Sequence, residues 1–391
     1  MRLKTFPSSV LKNLSLFLVC AFQLSCSSVV SKSPDSVIAA VEQVREEFCP
    51  DRRLCVFDVD LTVRGSNVYL KGEADEAAAI NALIARAKEA ANGYKVEVDV
   101  QRLPNETVGS DTFGVAKQSV VSMRSKPTDS SELVNQILLG QDVKLLKKEG
   151  DWHYAQTNDG YLGWIYGEFL IKGDERWLAE FSQATRLSFT EQIGKIYAAS
   201  NDSALALSEI AGGGLVAGVE ENGDWMKVQL PDDRAGFIHA AHLDTAAKLF
   251  AERAMNRADL VAKAKGFLGQ PYLWGGNSPK GFDCSGFTQT VFKWCGKQLL
   301  RDASQQVRQG AAIEPGSNFE NLLPGDLLFF ESSSGRVNHV GIYIGDQKFI
   351  HSSGRESVGV TINSLNSNSP IYSEYRRNAF HSARRVGDFQ S

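Results

Sequence analysis

Gly269-Gln270-Pro271-Tyr272-Leu273-Trp274-Gly275-Gly276, followed by Gly281-Phe282-Asp283-Cys284-Ser285-Gly286-Phe287, is the stretch on which the fold of this chain turns. After Cys284 the apolar residues Phe287, Val291, Trp294 and Cys295 recur at helical spacing until Gly296, a residue type that ends helices. The spacing predicts a helix with Cys284 at its N-terminus. Unpaired N–H groups and the helix dipole there favour the thiolate, the nucleophilic form of a cysteine. A preceding helix is expected over about 246–267.

A nucleophilic cysteine needs a base, and the chain has 6 histidines to offer. His339 heads a strand, Val340-Gly341-Ile342-Tyr343-Ile344, and His351 ends the next, Lys348-Phe349-Ile350-His351. A three-residue turn at Gly345-Asp346-Gln347 sets Ile344 opposite Lys348 and Gly341 opposite His351. His339 and His351 then share one sheet face as diagonal neighbours, about 7–8 Å apart between backbones. A two-residue turn would put them on opposite faces. On the first register Cys284 attacks a carbonyl, His339 exchanges the proton and His351 orients His339. The backbone N–H of Cys284 and the Tyr272 hydroxyl are then placed to stabilise the oxyanion. The same spacing equally fits a buried helix cysteine and two satisfied sheet histidines.

With 391 residues the chain has room for several domains, and 43% hydrophobic with 23% charged residues is an ordinary globular composition. The 42 Lys and Arg against 46 Asp and Glu leave a net charge of -4, so no basic field is available and no nucleic-acid partner is expected. Arg2, Lys4 and Lys12 precede an apolar run at 14–24 that ends in Ser25-Cys26, the layout of a secretory signal over residues 1–26. That run is too short to span a bilayer comfortably. Export to the cell envelope or periplasm is expected. Leu24-Ser25-Cys26 resembles a bacterial lipoprotein signal, which implies lipidation of Cys26; a simple cleaved signal is the alternative. Membrane contact is expected only through such an anchor. Residues 27–35 are Ser-rich and read as a tether. Cys49 and Cys55 flank Pro50 and either pair in an oxidising compartment or stand as two buried thiols. With no Cys/His cluster at zinc spacing, no metal is expected, and hydrolysis by a thiolate and an imidazole needs no cofactor.

Alternation at 56–63 and 67–72 predicts a hairpin, Asp75–Ala91 an amphipathic helix, and Lys95–Gln101 a further strand. Together they suggest a small α/β domain over 36–115, weakly similar to BON-like modules. Asp58-Val59-Asp60-Leu61-Thr62 looks like the DxDxT motif of haloacid-dehalogenase-type phosphatases. Too few residues follow for that family's large sheet, and the favoured reading is a strand with a polar solvent face. Further on, Glu149-Gly150-Asp151-Trp152 with Gly163-Trp164-Ile165 is echoed by Asn222-Gly223-Asp224-Trp225 with Gly236-Phe237-Ile238, at the same Trp-to-Gly interval. The echo reads as two tandem β-barrel modules, 116–171 and 188–246, joined by a helical connector at 173–182. They resemble bacterial SH3-like domains.

The motifs beyond residue 266 add up to a family resemblance. FLGQPYLWGG, DCSGF, RDASQQ (Arg301–Gln306), PGDLLFF, NHVGIYIG and FIHSSG together resemble the NlpC-type cysteine peptidases, papain-like enzymes that cut bacterial cell-wall peptides. The resemblance implies a multidomain α+β chain: a small N-terminal α/β domain, two SH3-like β-barrels and a C-terminal papain-like α+β peptidase domain over 247–391. It puts Cys284, His339 and His351 at the catalytic positions and Tyr272 beside them. The architecture is similar to the γ-D-glutamyl-L-diamino acid endopeptidases, which act on stem peptides with a free N-terminal L-alanine; a hydrolase of intact peptidoglycan (cross-link endopeptidase or amidase) and a non-catalytic wall-binding lipoprotein are the alternatives. In that group the first SH3-like domain closes one end of the cleft. The resemblance implies Glu132 and Tyr161 beside the substrate amine, with Asp283 and Ser285 as substrate contacts and Ser304 as a further candidate. Asp283 also reads as a helix N-cap. A carboxylate at a closed subsite pairs with an ammonium and leaves a longer peptide no room. The expected partners are peptidoglycan-derived peptides (muropeptides), bound by a monomer.

Overall fold

The computed structural model describes residues 34–356 and 359–389. The expected signal over 1–26, Cys26 and most of the tether lie outside the described residues. The first element, α1 (Asp35–Phe48), was not anticipated. Its buried residues Val37, Ala40, Val41 and Val44 stand at the i, i+3, i+4, i+7 spacing that marks one helix face. The expected hairpin forms as β1 (Phe57–Arg64) and β2 (Asn67–Ala74), and after α2 (Ala77–Glu89) the strand β3 (Lys95–Arg102) pairs parallel to β2. The two helices pack on each other over the sheet and enclose Val68, Leu70 and Leu83, all fully buried. Burying each such side chain stabilises the fold by about 1.5–3 kcal/mol. Asp58, Asp60 and Thr62 lie on the exposed face of β1, as the strand reading requires. Cys49 and Cys55 form a disulfide, which closes the loop between α1 and β1.

Two seven-stranded sheets follow. The first contains β4 (Phe113–Ala116), β5 (Val120–Arg124), β6 (Leu133–Leu138), β7 (Asp142–Glu149), β8 (Trp152–Thr157), β9 (Leu162–Tyr166) and β10 (Leu170–Gly173). After the connector α3 (Glu175–Gln183), the second contains β11 (Arg186–Phe189), β12 (Ile193–Tyr197), β13 (Ala206–Ala211), β14 (Leu215–Asn222), β15 (Trp225–Gln229), β16 (Ala235–His239) and β17 (Leu243–Thr245). Their orders, β10-β4-β7-β8-β9-β5-β6 and β17-β11-β14-β15-β16-β12-β13, are the same order twice. The echoed tryptophans occupy equivalent registers, Trp152 opposite Tyr166 and Trp225 opposite His239. Both sheets begin slightly ahead of the expected limits, because β4 and β11, one place in from the edge, each pair with two later strands of the same sheet.

The single helix expected over 246–267 is two, α4 (Ala246–Phe250) and α5 (Arg257–Gly266). Asn256 caps α5 by accepting from the Asp259 N–H, and the residues before it bond instead to Gly296 and Asp388. A short ribbon, β18 (Asn277–Ser278) with β19 (Gly281–Phe282), leads into α6 (Cys284–Trp294), and α7 (Ala303–Gln306) follows. The last sheet is antiparallel, in the order β20-β25-β21-β22-β23-β24. Its strands are β20 (Ala311–Ile313), β21 (Leu327–Glu331), β22 (Val337–Gly345), β23 (Lys348–Ser353), β24 (Gly359–Ser364) and, after α8 (Glu374–Asn378), β25 (Phe380–Arg385). Helix α6 lies across β22 and β23 and buries Phe287, Val291 and Phe292 against Phe267, Phe282 and Phe329.

The hairpin between β22 and β23 differs from expectation in its turn and agrees in its outcome. Gly345 pairs with Lys348, so the loop has two residues, Asp346 and Gln347, both with positive φ. Such a turn would set the histidines on opposite faces. A bulge at Ile344 inserts one extra residue, Tyr343 then pairs with Phe349 and Ile342 with Ile350, and the original face relation returns.

Candidate active site

Cys284 opens α6 because Asp283 caps the helix, its Oδ1 accepting from the Gly286 N–H at 2.7 Å. The cap is itself held. Arg301, 1% exposed, donates to Asp283 Oδ1 at 3.0 Å and Oδ2 at 2.6 Å, and the Gly275 N–H donates to Oδ2 at 3.0 Å. Ser285 donates to Asp283 at 3.2 Å and accepts from Arg301 at 3.2 Å. Asp283 and Ser285, expected as substrate contacts, are both bonded into the start of α6. Arg301 stands inside the RDASQQ motif, yet its role was missed, because only the fold brings it to the cap.

The Cys284 sulfur lies 4.0 Å from the Asn338 carbonyl oxygen and accepts from the Val340 amide, the two residues that flank His339. His339 Nε2 is 2.7 Å from His351 Nδ1, and His351 Nε2 is 2.9 Å from Asn363 Oδ1. Asn363 was not anticipated; it stands on β24 diagonally from His351, whose direct partner is Thr361. Its Nδ2 donates to the Ile371 carbonyl at 3.3 Å, which leaves Oδ1 as the acceptor. That orientation assigns the protons of the chain. His351 carries its proton on Nε2 and accepts at Nδ1, so His339 donates from Nε2 and keeps a lone pair on Nδ1. A base with its free nitrogen fixed is what a thiol nucleophile needs.

The site is enclosed: Cys284 is 8% exposed, His339 7% and His351 0%. Burial pushes the Cys284 thiol up to about 12, and the Asp283 charge adds to the rise; the Val340 amide, Arg376 and Arg301 oppose it. Lost hydration thus opposes the thiolate that the helix terminus favours. Burial, the Arg376 charge and His351 hold His339 well below the usual imidazole range, and burial is also the chief cause that lowers His351 to about 4. A thiolate and an imidazolium in one site stabilise each other, so the proton passes between them rather than to solvent. Tyr272, half-buried beside Phe282, is held above the usual phenol range by burial and by the charges of Cys284 and Asp283, and so remains a neutral donor.

The remaining expected residues fall into two groups. Glu132, exposed at the start of β6, accepts from the Trp274 indole N–H at 2.6 Å and so reaches the PYLWGG segment. Tyr161 is buried and donates from its hydroxyl to Asp302 Oδ2 at 3.1 Å, while Ser304 accepts from Arg53 at 2.8 Å. No hydrogen bond joins the two groups among the described residues. Glu132 and Tyr161 are brought to the last domain by the segments just ahead of β6 and β9 in the first seven-stranded sheet. Its Asn135 accepts from Arg301 at 3.1 Å and from Asn277 at 2.8 Å, and its Gln136 accepts from the Asn277 N–H at 3.1 Å. Among the described residues no group of three or more His, Cys, Asp or Glu could hold a metal ion. No helix among them is long and apolar enough to cross a membrane.

Comparisons with known proteins place the chain among its relatives. Residues 269–385 match the NlpC/P60 family, and residues 119–171 match the bacterial SH3 domain. A gamma-D-glutamyl-L-lysine dipeptidyl-peptidase of Bacillus cereus is 30% identical over 260 residues, 64% of this chain and 76% of that protein. Dipeptidyl-peptidase 6 of Lysinibacillus sphaericus is 28% identical over 265 residues, 65% of this chain and 92% of that protein. The crystal structure of an NlpC/P60 family protein from Bacillus cereus superposes with a TM-score of 0.59 at 26% identity, covering 70% of this chain and 99% of that one. The helix that opens at Cys284, the histidine pair and the bacterial SH3 domain docked beside them are thus parts of a chain that belongs to the NlpC/P60 family of cysteine peptidases.

Proposed function

We propose that this chain hydrolyses the amide between γ-D-glutamate and a diamino acid, diaminopimelate or lysine, in peptidoglycan stem peptides with a free N-terminal L-alanine. The observation that carries the reading is the His339–His351–Asn363 hydrogen-bonded chain against the strand that receives the Cys284 sulfur. Cys284 is the nucleophile. Its sulfur forms a bond to the γ-carbonyl carbon as the thiol proton moves to His339 Nδ1, and the carbonyl becomes an oxyanion. The first N–H groups of α6 and the Tyr272 hydroxyl face that negative charge. The C–N bond then breaks, and His339 returns the proton to the leaving diamino acid. Water, deprotonated by His339, cleaves the thioester and regenerates the thiol.

The free-amine requirement is supported by the first SH3-like domain, which brings a carboxylate, Glu132, and a tyrosine, Tyr161, to the peptidase domain. The names of the relatives point to the same bond. The proposed setting is turnover or recycling of wall peptides in the cell envelope. Export through residues 1–26, with Cys26 as the lipid site, is supported by the sequence and by the Cys49–Cys55 disulfide, which belongs to an oxidising compartment. We read the second seven-stranded sheet as a second SH3-like domain on its strand order. Mass spectrometry of L-alanyl-γ-D-glutamyl-diaminopimelate after incubation with the protein tests the bond. L-alanyl-D-glutamate plus free diaminopimelate is expected; free alanine or an intact peptide would overturn the reading.

A further inference from the structure

The N-terminal α/β domain has no part in the chemistry above, yet one of its side chains ends inside the peptidase domain. Arg53 stands in the loop that the Cys49–Cys55 disulfide closes. Its Nη1 donates to Asp302 Oδ2 at 2.7 Å and to Ser304 Oγ at 2.8 Å. Its Nε and Nη2 donate to the two carboxylate oxygens of Asp51 at 2.8 and 2.7 Å, and Asp51 in turn accepts from Gln305 at 2.9 Å. Asp302 Oδ2 is the same oxygen that accepts from the Tyr161 hydroxyl.

The backbone of the loop is held as firmly as the side chain. The Leu162 N–H, next to Tyr161, donates to the Arg53 carbonyl at 2.8 Å, and Gln156 donates to the Leu54 carbonyl at 2.7 Å. Beside it Val56 and Leu103 of the N-terminal domain pack with Leu146 and Leu162 of the first SH3-like domain. Lys147 and Glu73 pair across the same junction. The guanidinium therefore meets Tyr161, Asp302 and Ser304 from a fixed direction, in a fork that a point charge does not reproduce.

We propose that Arg53 is a positioning residue of the substrate's amine corner: one nitrogen ties Asp302 to Ser304, and the carboxylate so fixed is held on the Tyr161 hydroxyl where a peptide ammonium enters. The N-terminal domain is on this account a third wall of the binding site. The inference rests on the proposed function for what the corner binds. Asp302, which sequence reading passed over, supplies the negative charge there, and Asp51 balances the added guanidinium. Burial opposes the ionised form of Asp51, but its bonds from Arg53 and Gln305 outweigh this and hold its carboxyl at about 2, so the fork stays assembled at any pH where the enzyme is assayed.

The test compares Arg53→Ala and Arg53→Lys with the parent chain on L-alanyl-γ-D-glutamyl-diaminopimelate, with hydrogen exchange of residues 300–307 measured in parallel. The expected result is a KM raised about tenfold or more in Arg53→Ala with kcat within about threefold, partial recovery in Arg53→Lys, and faster exchange confined to 300–307. An unchanged or lowered KM, or a fall in kcat alone, would overturn the positioning role. If the parent chain leaves the tripeptide intact, the proposed function has failed instead, and the exchange measurement still decides: unchanged protection of 300–307 in a folded Arg53→Ala overturns the inference, and selective loss supports it.

Discussion

At the scale of the residue, the site depends on which nitrogen of each histidine holds the proton. Asn363 settles this from two residues away, because an acceptor oxygen on His351 Nε2 leaves His339 Nδ1 as the free base. Asn363→Ala should lower kcat by about tenfold or more, about 1.4 kcal/mol in the barrier, with little change in KM. Steady-state kinetics on the tripeptide would check it, and an unchanged kcat would remove Asn363 from the relay. The buried histidines also make stability depend on pH. His351 is lowered from 6.5 to about 4, so the unfolded chain binds the extra proton between those values and stability falls as pH drops through that window. It is fully present above pH 6.5. Over the window the loss from this residue is up to about 3 kcal/mol. Thermal unfolding of the parent chain and His351→Gln at pH 7 and pH 5 should show a smaller difference in the variant, since His153, lowered to about 4 chiefly by burial, contributes equally to both.

At the scale of the element, much of the chain was legible because hydrophobic period and capping act locally. The helix that starts at Cys284 followed from the spacing of Phe287 and Val291 and from Asp283 before it. The β22–β23 hairpin shows where that reading stops. Face sharing of His339 and His351 was correct, but it arises from a two-residue turn with a bulge at Ile344, and nothing in the local pattern distinguishes this from a three-residue turn. The helix over 246–267 failed for a related reason, since bonds from 251–256 to Gly296 and Asp388 are made by sequence-distant partners. Asn363, Arg301 and Asp302 escaped notice because their roles exist only across strands or between domains. The turn offers a test of its own geometry. Gln347 adopts φ 58°, a left-handed conformation that costs a side-chain-bearing residue about 1–2 kcal/mol, while only its backbone is used in hydrogen bonds. Gln347→Gly should therefore raise the stability by about 1 kcal/mol in denaturant unfolding, with kcat unchanged. A loss of stability would contradict the turn.

At the scale of the whole molecule, the proposed function assigns the selectivity of the peptidase domain to the domains around it. The first SH3-like domain is fastened to the cap of the helix that Cys284 opens, since Asn135 bonds to the same Arg301 that holds Asp283. The enclosed thiol should react slowly with iodoacetamide in the native state. Peptide mapping should find Cys284, the proposed nucleophile, modified no faster than Cys295, which is 6% exposed and raised to about 11 by burial. Rapid labelling of Cys284 would show an open cleft. The central claim is that the docked SH3-like domain restricts the peptidase to substrates with a free amine. The most direct measurement is kcat/KM for the tripeptide against its N-acetylated form, in the parent chain and in Glu132→Gln. The account predicts a preference of about a hundredfold or more for the free amine, about 3 kcal/mol, that shrinks in the variant chiefly through a higher KM for the free-amine peptide. Equal rates on both peptides in the parent chain would contradict it.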